Sequence, residues 1–474
     1  STQETPPPQA ARRYRLQAQL DRFGRSQRYV YAEQPMGGPA LDPQAGPQGD
    51  EVPEGTLLAL TDGVGRHYRL RYVRVHGGKP AQGLWGADDG WRLAAVELDV
   101  DPVGTGTLPL TLVRYAYDRE GHLVSVHDRA GELVREFAWQ HHRIVAHRHR
   151  GGPRHTYRYA SAEPGARVIE HGNEQGLSYR FDYVPQPLSA EGQPRRLTRV
   201  SDSLGRVETY HFEGEAGLER LVLHERADGS QLRHEYDGAG RLVATTDPLG
   251  RTTRLLLDAQ GRLLSAQGPD RRRARRQLDS ATGQLLQSQD ATGAITRYRY
   301  DDHGRLLETT WADGSTERYR YPDPREQPLT CDAPVAIEDA RGGIKHLAWN
   351  DAGLLASYTD CSGHSTHYQY DRFGQLAEVT DALGQRQRIE HDAAGRIVAT
   401  IHPDGSREHY RHDGAGQIVR IELHGPSGAH NPQGHPAEDP PAASAIDLSY
   451  DLWGRLTRRS HGGLTLQFEY DIAG

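Results

Sequence analysis

An Asp-x-x-Gly turn signature returns along this chain at a nearly fixed interval, and that interval constrains the fold more than any other feature. The fullest copy reads Tyr298-Arg-Tyr300-Asp301-Asp-His-Gly304-Arg305-Leu306. Asp237, Asp258, Asp279 and Asp301 are 21, 21 and 22 residues apart; Asp371, Asp392 and Asp413 are 21 and 21 apart. Further copies start at Asp118, Asn350 and Asp451. Midway between them runs a second series of turns, such as Asp202-Ser-Leu-Gly205, Asp247-Pro-Leu-Gly250 and Asp381-Ala-Leu-Gly384, with an Asp-Gly-Ser variant at Asp228, Asp313 and Asp404. A turn therefore arrives about every 10–11 residues, the spacing of a β protein. Self-similarity at this period predicts a repeat architecture in which each unit meets only its neighbours.

One unit can be read as a hairpin. Thr296, Tyr298 and Tyr300 alternate with Arg297 and Arg299, so the two sets occupy opposite faces of a strand. Asp301 opens the turn, where its carboxylate can accept from backbone N–H groups two residues on. Gly304 supplies the positive φ of a type I turn with a bulge. Leu306 starts the return strand. A single hairpin is marginal in water, but stacked hairpins cover each other's edges. About 40 strands of this kind cannot stay flat and open, so the expected fold is all-β: tandem hairpins winding as a continuous spiral sheet into a hollow cocoon, or part of one.

Composition agrees with a thin wall. Hydrophobic residues make up 35 % of the chain, and mean hydropathy is -0.77. That is too little apolar material for a solid globule of 474 residues. Disorder would also be poor in hydrophobics, but 23 tyrosines argue for strands with half-wet faces. A net charge of -7 speaks against broad nucleic-acid binding. No apolar run is long enough for a membrane span. The amino terminus, Ser1 to Pro8, is no signal peptide.

The expected organisation has four parts. Residues 1–57 are an atypical start with a Pro/Gly-rich loop at 32–56, and residues 58–423 form the array. A Pro-rich insertion follows at 424–445. Repeats then resume over 446–474 and stop inside a unit at Asp471-Ile-Ala-Gly474, as if the array continued. Smaller insertions are expected at 185–195 and 322–337.

Tyr-x-Tyr-Asp-x-x-Gly-Arg-Leu at this period resembles the YD repeat of the Rhs family of polymorphic bacterial toxins. The resemblance covers roughly residues 14–31 and 58–474. It implies a hollow β-cocoon enclosing a carboxy-terminal toxin domain that lies outside this chain. It also implies export by a type VI secretion system, with a PAAR domain, a VgrG spike and a chaperone as partners. Such a protein is made in the bacterial cytoplasm and then secreted or injected into a competitor. The same motif also resembles YD-repeat surface and wall-associated proteins that bind glycans or a receptor, animal teneurins, and the C components of insecticidal Tc toxins. The family's self-cleavage motif, Asp-Pro-Leu-Gly-Leu, has its nearest match at Asp247-Pro248-Leu249-Gly250. Arg251 follows there and the position is mid-array, so it reads as an ordinary turn.

Other constellations read as structural. His141, His142, His147 and His149 cluster, and His147 with His149 could chelate a metal from one strand face. A polar face in a chain with 25 histidines accounts for them better. The run Arg271 to Arg276 could hold phosphate, but it falls where a strand is due. Cys331 and Cys361 are too few for a disulfide framework or a zinc cage. Nucleophile-elbow, zincin, P-loop and dinucleotide patterns are missing. No catalytic, cofactor or metal residues are therefore expected.

Overall fold

The structure, a computed structural model, describes residues 15–32, 36–37, 51–75, 82–83, 86–87, 90–102, 107–189, 192–215, 217–426 and 444–470. Most of the loop at 32–56, residues 427–443 of the Pro-rich insertion, and both chain ends lie outside these residues.

Among the described residues there is no helix, and 36 strands join in one antiparallel sheet that does not close on itself. Each strand of this sheet pairs with the next one along it, past two small separate strand pairs, Met36–Gly37 with Glu51–Val52 and Gln82–Gly83 with Gly86–Ala87, so the sheet is a long meander. It already includes Ala18–Leu20 and Ser26–Tyr31 near the amino terminus. The expected insertion at 185–195 lengthens a hairpin: Ser178–Gln186 and Arg195–Asp202 pair along their whole lengths. The one at 322–337 folds as consecutive turns and then a short strand, Ala336–Glu338.

The turn chemistry explains the motif. Asp301 Oδ1 accepts from the backbone N–H of His303 at 3.0 Å and of Arg305 at 2.8 Å. Its Oδ2 accepts from Arg305 Nε at 2.6 Å. The Gly304 N–H closes the turn onto the Asp301 carbonyl at 2.9 Å, with Gly304 at φ 75°. The ladder slips by one residue between Arg299 and Tyr300, which is the expected bulge. Asp247 uses the same bonds, to Leu249 and Arg251, so Asp247-Pro-Leu-Gly250 is an ordinary turn in the sheet. In the Asp-Gly-Ser variant the carboxylate moves two places along: Asp313 Oδ1 accepts from Ser315 N and Oγ at 2.9 and 2.6 Å.

Neighbouring units are tied by the tyrosine that precedes the aspartate. The Tyr300 hydroxyl donates to the Leu285 carbonyl at 3.0 Å, Tyr236 to Leu221 at 2.9 Å and Tyr370 to Leu355 at 2.9 Å. In each pair the acceptor is the first or second residue of the return strand of the preceding unit, 15 residues back. Trp349 fills the same place with its indole N–H, donating to Pro334 at 2.9 Å. The motif arginine reaches forward instead. Arg241 Nη1 donates to the Asp258 carbonyl at 3.0 Å, and Arg305 Nη1 to those of Pro322 and Cys331. Gln284 and Gln375 replace arginine in their units and still reach the next turn, at Gly304 and Gly395.

The wall is one sheet thick. The molecule exposes 30808 Å², whereas a compact monomer of 52.7 kDa would expose about 17,600 Å². Buried apolar positions are mostly small, among them Ala59, Ala95, Ala146, Ala244 and Ala399. Cohesion therefore comes mainly from the ladder, its turn bonds and half-covered side chains rather than from a deep core.

Candidate functional site: the seam between windings and the histidine face

The meander winds round and meets itself. Arg129, in an intermediate turn, donates to the Ala393 carbonyl at 2.8 Å and to Gln375 Oε1 at 2.8 Å. Arg396 reaches Glu132 at 3.3 Å. Arg150 bonds both Glu132 and the Gly414 carbonyl. Arg372 donates to the Thr107 carbonyl at 3.3 Å. Arg25 binds Asp332 through both nitrogens and also donates to the Leu329 carbonyl at 3.0 Å. Four of these pairs are 264 residues apart (Arg129–Ala393, Glu132–Arg396, Arg150–Gly414) or 265 (Thr107–Arg372). Over residues 107–150 the second winding thus lies at a constant offset, whereas the Arg25 contacts fall at 304 and 307.

The seam has a consistent polarity. Intermediate turns of the first winding meet Tyr-Asp turns of the second. Arg129 Cζ also sits 3.5 Å from the centre of the Phe373 ring, a cation–π contact within the seam. At Gly151 the approach is so close that a Cβ would collide with Ala415. The expected insertion at 322–337 supplies the landing place for Arg25, so it belongs to the seam. Twenty-three strands separate the turn of Arg129 from that of Ala393.

A second feature lies on the tyrosine face. His147 stands opposite His155 in the ladder, and their rings stack at 5.0 Å. Tyr157 and His171 stack at 5.0 Å, and His171 and Tyr179 at 5.9 Å. Tyr157 Oη and His147 Nδ1 share a hydrogen bond of 3.2 Å, and His155 Nδ1 and His171 Nε2 one of 3.1 Å. Trp453 closes on His155 edge-on from the second winding. Burial lowers the pKa of His147, His149 and His171 below the ordinary histidine value, and neighbouring imidazoles push the same way. The Arg135 guanidinium adds to the effect at His147 and His149.

The four clustered histidines divide into two pairs in the structure, with His147 and His149 meeting edge-on at 5.7 Å. His147 joins the stack. His149 faces Arg135, whose guanidinium lies 3.3 Å from the ring. His141 and His142 form the two-residue turn between Gln140 and Arg143, both with positive φ. His142 meets His122 of the preceding turn, 2.7 Å from nitrogen to nitrogen. His122 went unnoticed in the sequence, although it shows there as a histidine where the repeat places arginine, in Gly121-His122-Leu123. The seam residues had no sequence signal.

The arginine run lies as expected: Arg271 and Arg272 finish a turn, and Arg273–Leu278 is a strand. Arg271, Arg272, Arg273, Arg275 and Arg276 are all exposed. Cys331 is buried and Cys361 exposed, and both are free thiols.

Comparison with known proteins agrees with the repeat. A family model described as RHS Repeat matches residues 220–251, 236–273, 280–316 and 349–386. Toxin protein Tse5 of Pseudomonas aeruginosa is 38 % identical over 318 residues, 65 % of this chain and 22 % of that protein. Double-stranded DNA deaminase toxin A of Burkholderia cenocepacia is 32 % identical over 104 residues, 22 % of this chain and 7 % of that protein. The chain thus spans under a quarter of the length of either relative. Among solved structures, the Photorhabdus luminescens Tc holotoxin pore matches 92 % of this chain and 22 % of its own, at 15 % identity and a TM-score of 0.41. The TcdB2-TccC3-TEV crystal structure gives 92 %, 23 %, 15 % and 0.40. By its repeat unit and its sequence matches, the chain is a stretch of RHS, or YD, repeats similar to the repeat array of these toxins.

Proposed function

We propose that this chain is a wall segment of a hollow shell that encloses a toxin domain carried elsewhere in the same polypeptide. The observation that carries this reading is the seam, where the ribbon bonds to itself one winding later. A ribbon that bonds to itself after each winding is a wall with an inside. At ~4.8 Å per strand, the 23 strands of one winding make a path of about 110 Å, hence a ring roughly 35 Å across. Side chains narrow that bore, yet it still holds a partly folded domain. The toxin names of the two relatives support the same reading. The chain itself performs no catalysis here; chemistry belongs to the enclosed domain. Delivery through a type VI system with PAAR and VgrG partners, after synthesis in the cytoplasm, completes the proposal. The glycan-binding alternative is less well supported, because Tyr236, Tyr300 and Tyr370 already spend their hydroxyls on the sheet.

Electron microscopy of the full-length protein tests the proposal, together with limited proteolysis. A closed hollow particle with internal density, and protection of the carboxy-terminal domain until the shell is denatured, are expected. A solid particle, or a toxin domain cut as fast as when free, would overturn it.

A further inference from the structure

His122 and His142 face each other across two adjacent turns on the rim opposite the seam. His122 lies in the turn begun by Asp118, where Asp118 Oδ1 accepts from the backbone N–H groups of Glu120 and His122. Its ring is pinned on two sides. Nδ1 lies 3.0 Å from Asp118 Oδ2, and Trp139 stacks on the ring at 4.9 Å, nearly parallel. An ionised carboxylate only accepts, so Nδ1 carries the proton and Nε2 presents its lone pair outward. That lone pair points at His142 Nδ1, 2.7 Å away. His142 is held there by a costly backbone. A two-residue turn with positive φ at both positions ordinarily takes Asn-Gly, yet here it is His141 at 51° and His142 at 56°. Glu120 stands on the same rim with an exposed side chain, its Oε2 3.7 Å from His122 Nδ1, so its carboxylate must swing toward the Nε2 side to share an ion with both rings. The three residues each offer one ligand atom within 4.8 Å of the others.

We propose that His122, His142 and Glu120 bind a divalent transition-metal ion of the zinc class. The ligands are His122 Nε2, His142 Nδ1 and the Glu120 carboxylate, with water completing a tetrahedral set. A carboxylate behind an imidazole, as Asp118 stands behind His122, is the usual outer support of a metal-bound histidine. For the two imidazoles the geometric change required is small. Zn–N bonds of ~2.0 Å at a tetrahedral angle hold two nitrogens about 3.3 Å apart, so the rings need to part by roughly half an ångström. To ligate through Nδ1, His142 moves its own proton to Nε2; the ion then competes with protons for the two imidazole lone pairs, so affinity falls as pH is lowered. The bound ion would clip two neighbouring hairpins together on a rim that, among the described residues, makes none of the seam contacts.

Zinc chloride titrated calorimetrically into the tag-free, metal-stripped chain tests this. One saturable site of micromolar or tighter Kd is expected, with a zinc-dependent rise in Tm. Asp118→Asn should weaken it by about 10–100-fold. His142→Gly relieves the positive φ while removing a ligand, so its metal-free Tm should hold or rise while the zinc response disappears. His147→Gln, on the other histidine cluster, should bind zinc like the parent. A parent chain with no saturable site would overturn the proposal. So would a zinc response that survives in His142→Gly, or one that is lost in His147→Gln alone.

Discussion

Arg25 and Asp332 lie 307 residues apart in sequence and form a two-pronged ion pair, Nη1 to Oδ1 at 3.0 Å and Nη2 to Oδ2 at 2.8 Å. The pair joins an early turn to a segment wound once around the coil. Arg25 is also held by Asp21 Oδ2 at 2.5 Å, which fixes its fork before Asp332 arrives. The Asp332 carboxylate is partly exposed, so the equilibrium contribution is about 1 kcal/mol or less. Its effect is local. Asp332→Ala is expected to leave Tm nearly unchanged while speeding hydrogen exchange in residues 18–31 and 329–333. Unchanged exchange there would show that this stretch of seam is held by other contacts.

Gly151 offers a sharper probe of the seam. A Cβ there runs into Ala415 of the next winding, whereas Gly131, in the preceding intermediate turn, has open space. Both have positive φ, 64° and 78°. Alanine at either position meets the left-handed backbone cost of ~1–2 kcal/mol. Gly151→Ala should lose a further ~1–3 kcal/mol from overpacking. Chemical denaturation of both variants isolates the second amount; equal losses would mean that the windings separate freely.

The contrast between these positions and the repeat itself explains what the sequence made legible. Gly304 and Gly250 announce their turns because a positive φ selects glycine locally. Tyr298 and Tyr300 announce a strand because alternation is local too. Nothing local sets which residues meet after one winding. That depends on twist summed over 23 strands, and several acceptors are backbone carbonyls, at Leu329, Ala393 and Gly414, which carry no residue signature. The tyrosine hydroxyl bonds fall between these cases. Alternation placed Tyr300 on its face, but its partner, the Leu285 carbonyl, needed the bulge geometry. The histidines were seen as a cluster in sequence and are split by a turn in space. The residue that matters to His142 is His122, 20 positions earlier.

Substitutions within one unit should separate its two kinds of bond. Tyr300→Phe removes only the hydroxyl that binds the Leu285 carbonyl, a half-covered contact, and is expected to cost about 0.5–1.5 kcal/mol. Asp301→Ala removes the acceptor of two backbone N–H groups and the partner of Arg305. It frees Arg305 from the turn, so its grip on the carbonyls of Pro322 and Cys331 should loosen too. A loss larger than that of Tyr300→Phe is expected, with faster exchange extending into residues 322–331. If exchange changes only in residues 300–306, the forward reach of Arg305 does not link the units.

Acid should weaken the molecule in two steps of different origin. The first belongs to the histidine face. His147, His149 and His171 have folded pKa values below the ordinary ~6.5, chiefly through burial. The unfolded chain therefore binds protons at a pH where the folded chain still refuses them. Stability from these groups is complete above about pH 6.5 and is lost as pH falls through their folded values. The second step belongs to the turns. Asp237, Asp279, Asp301 and Asp392 lie below the ordinary carboxylate value. At Asp237 the Arg241 side chain is the main cause, and at Asp279 the Thr282 N–H. At Asp301 and Asp392, burial pushes upward and is outweighed by turn hydrogen bonds. Their contribution persists above about pH 4 and fades as pH drops below it. Tm measured from pH 8 to pH 3 should fall first as pH drops below about 6.5, then again below about pH 4. A double variant, His147→Gln with His171→Gln, should flatten the first fall and leave the second. If the first fall survives in that variant, its source lies among the other histidines.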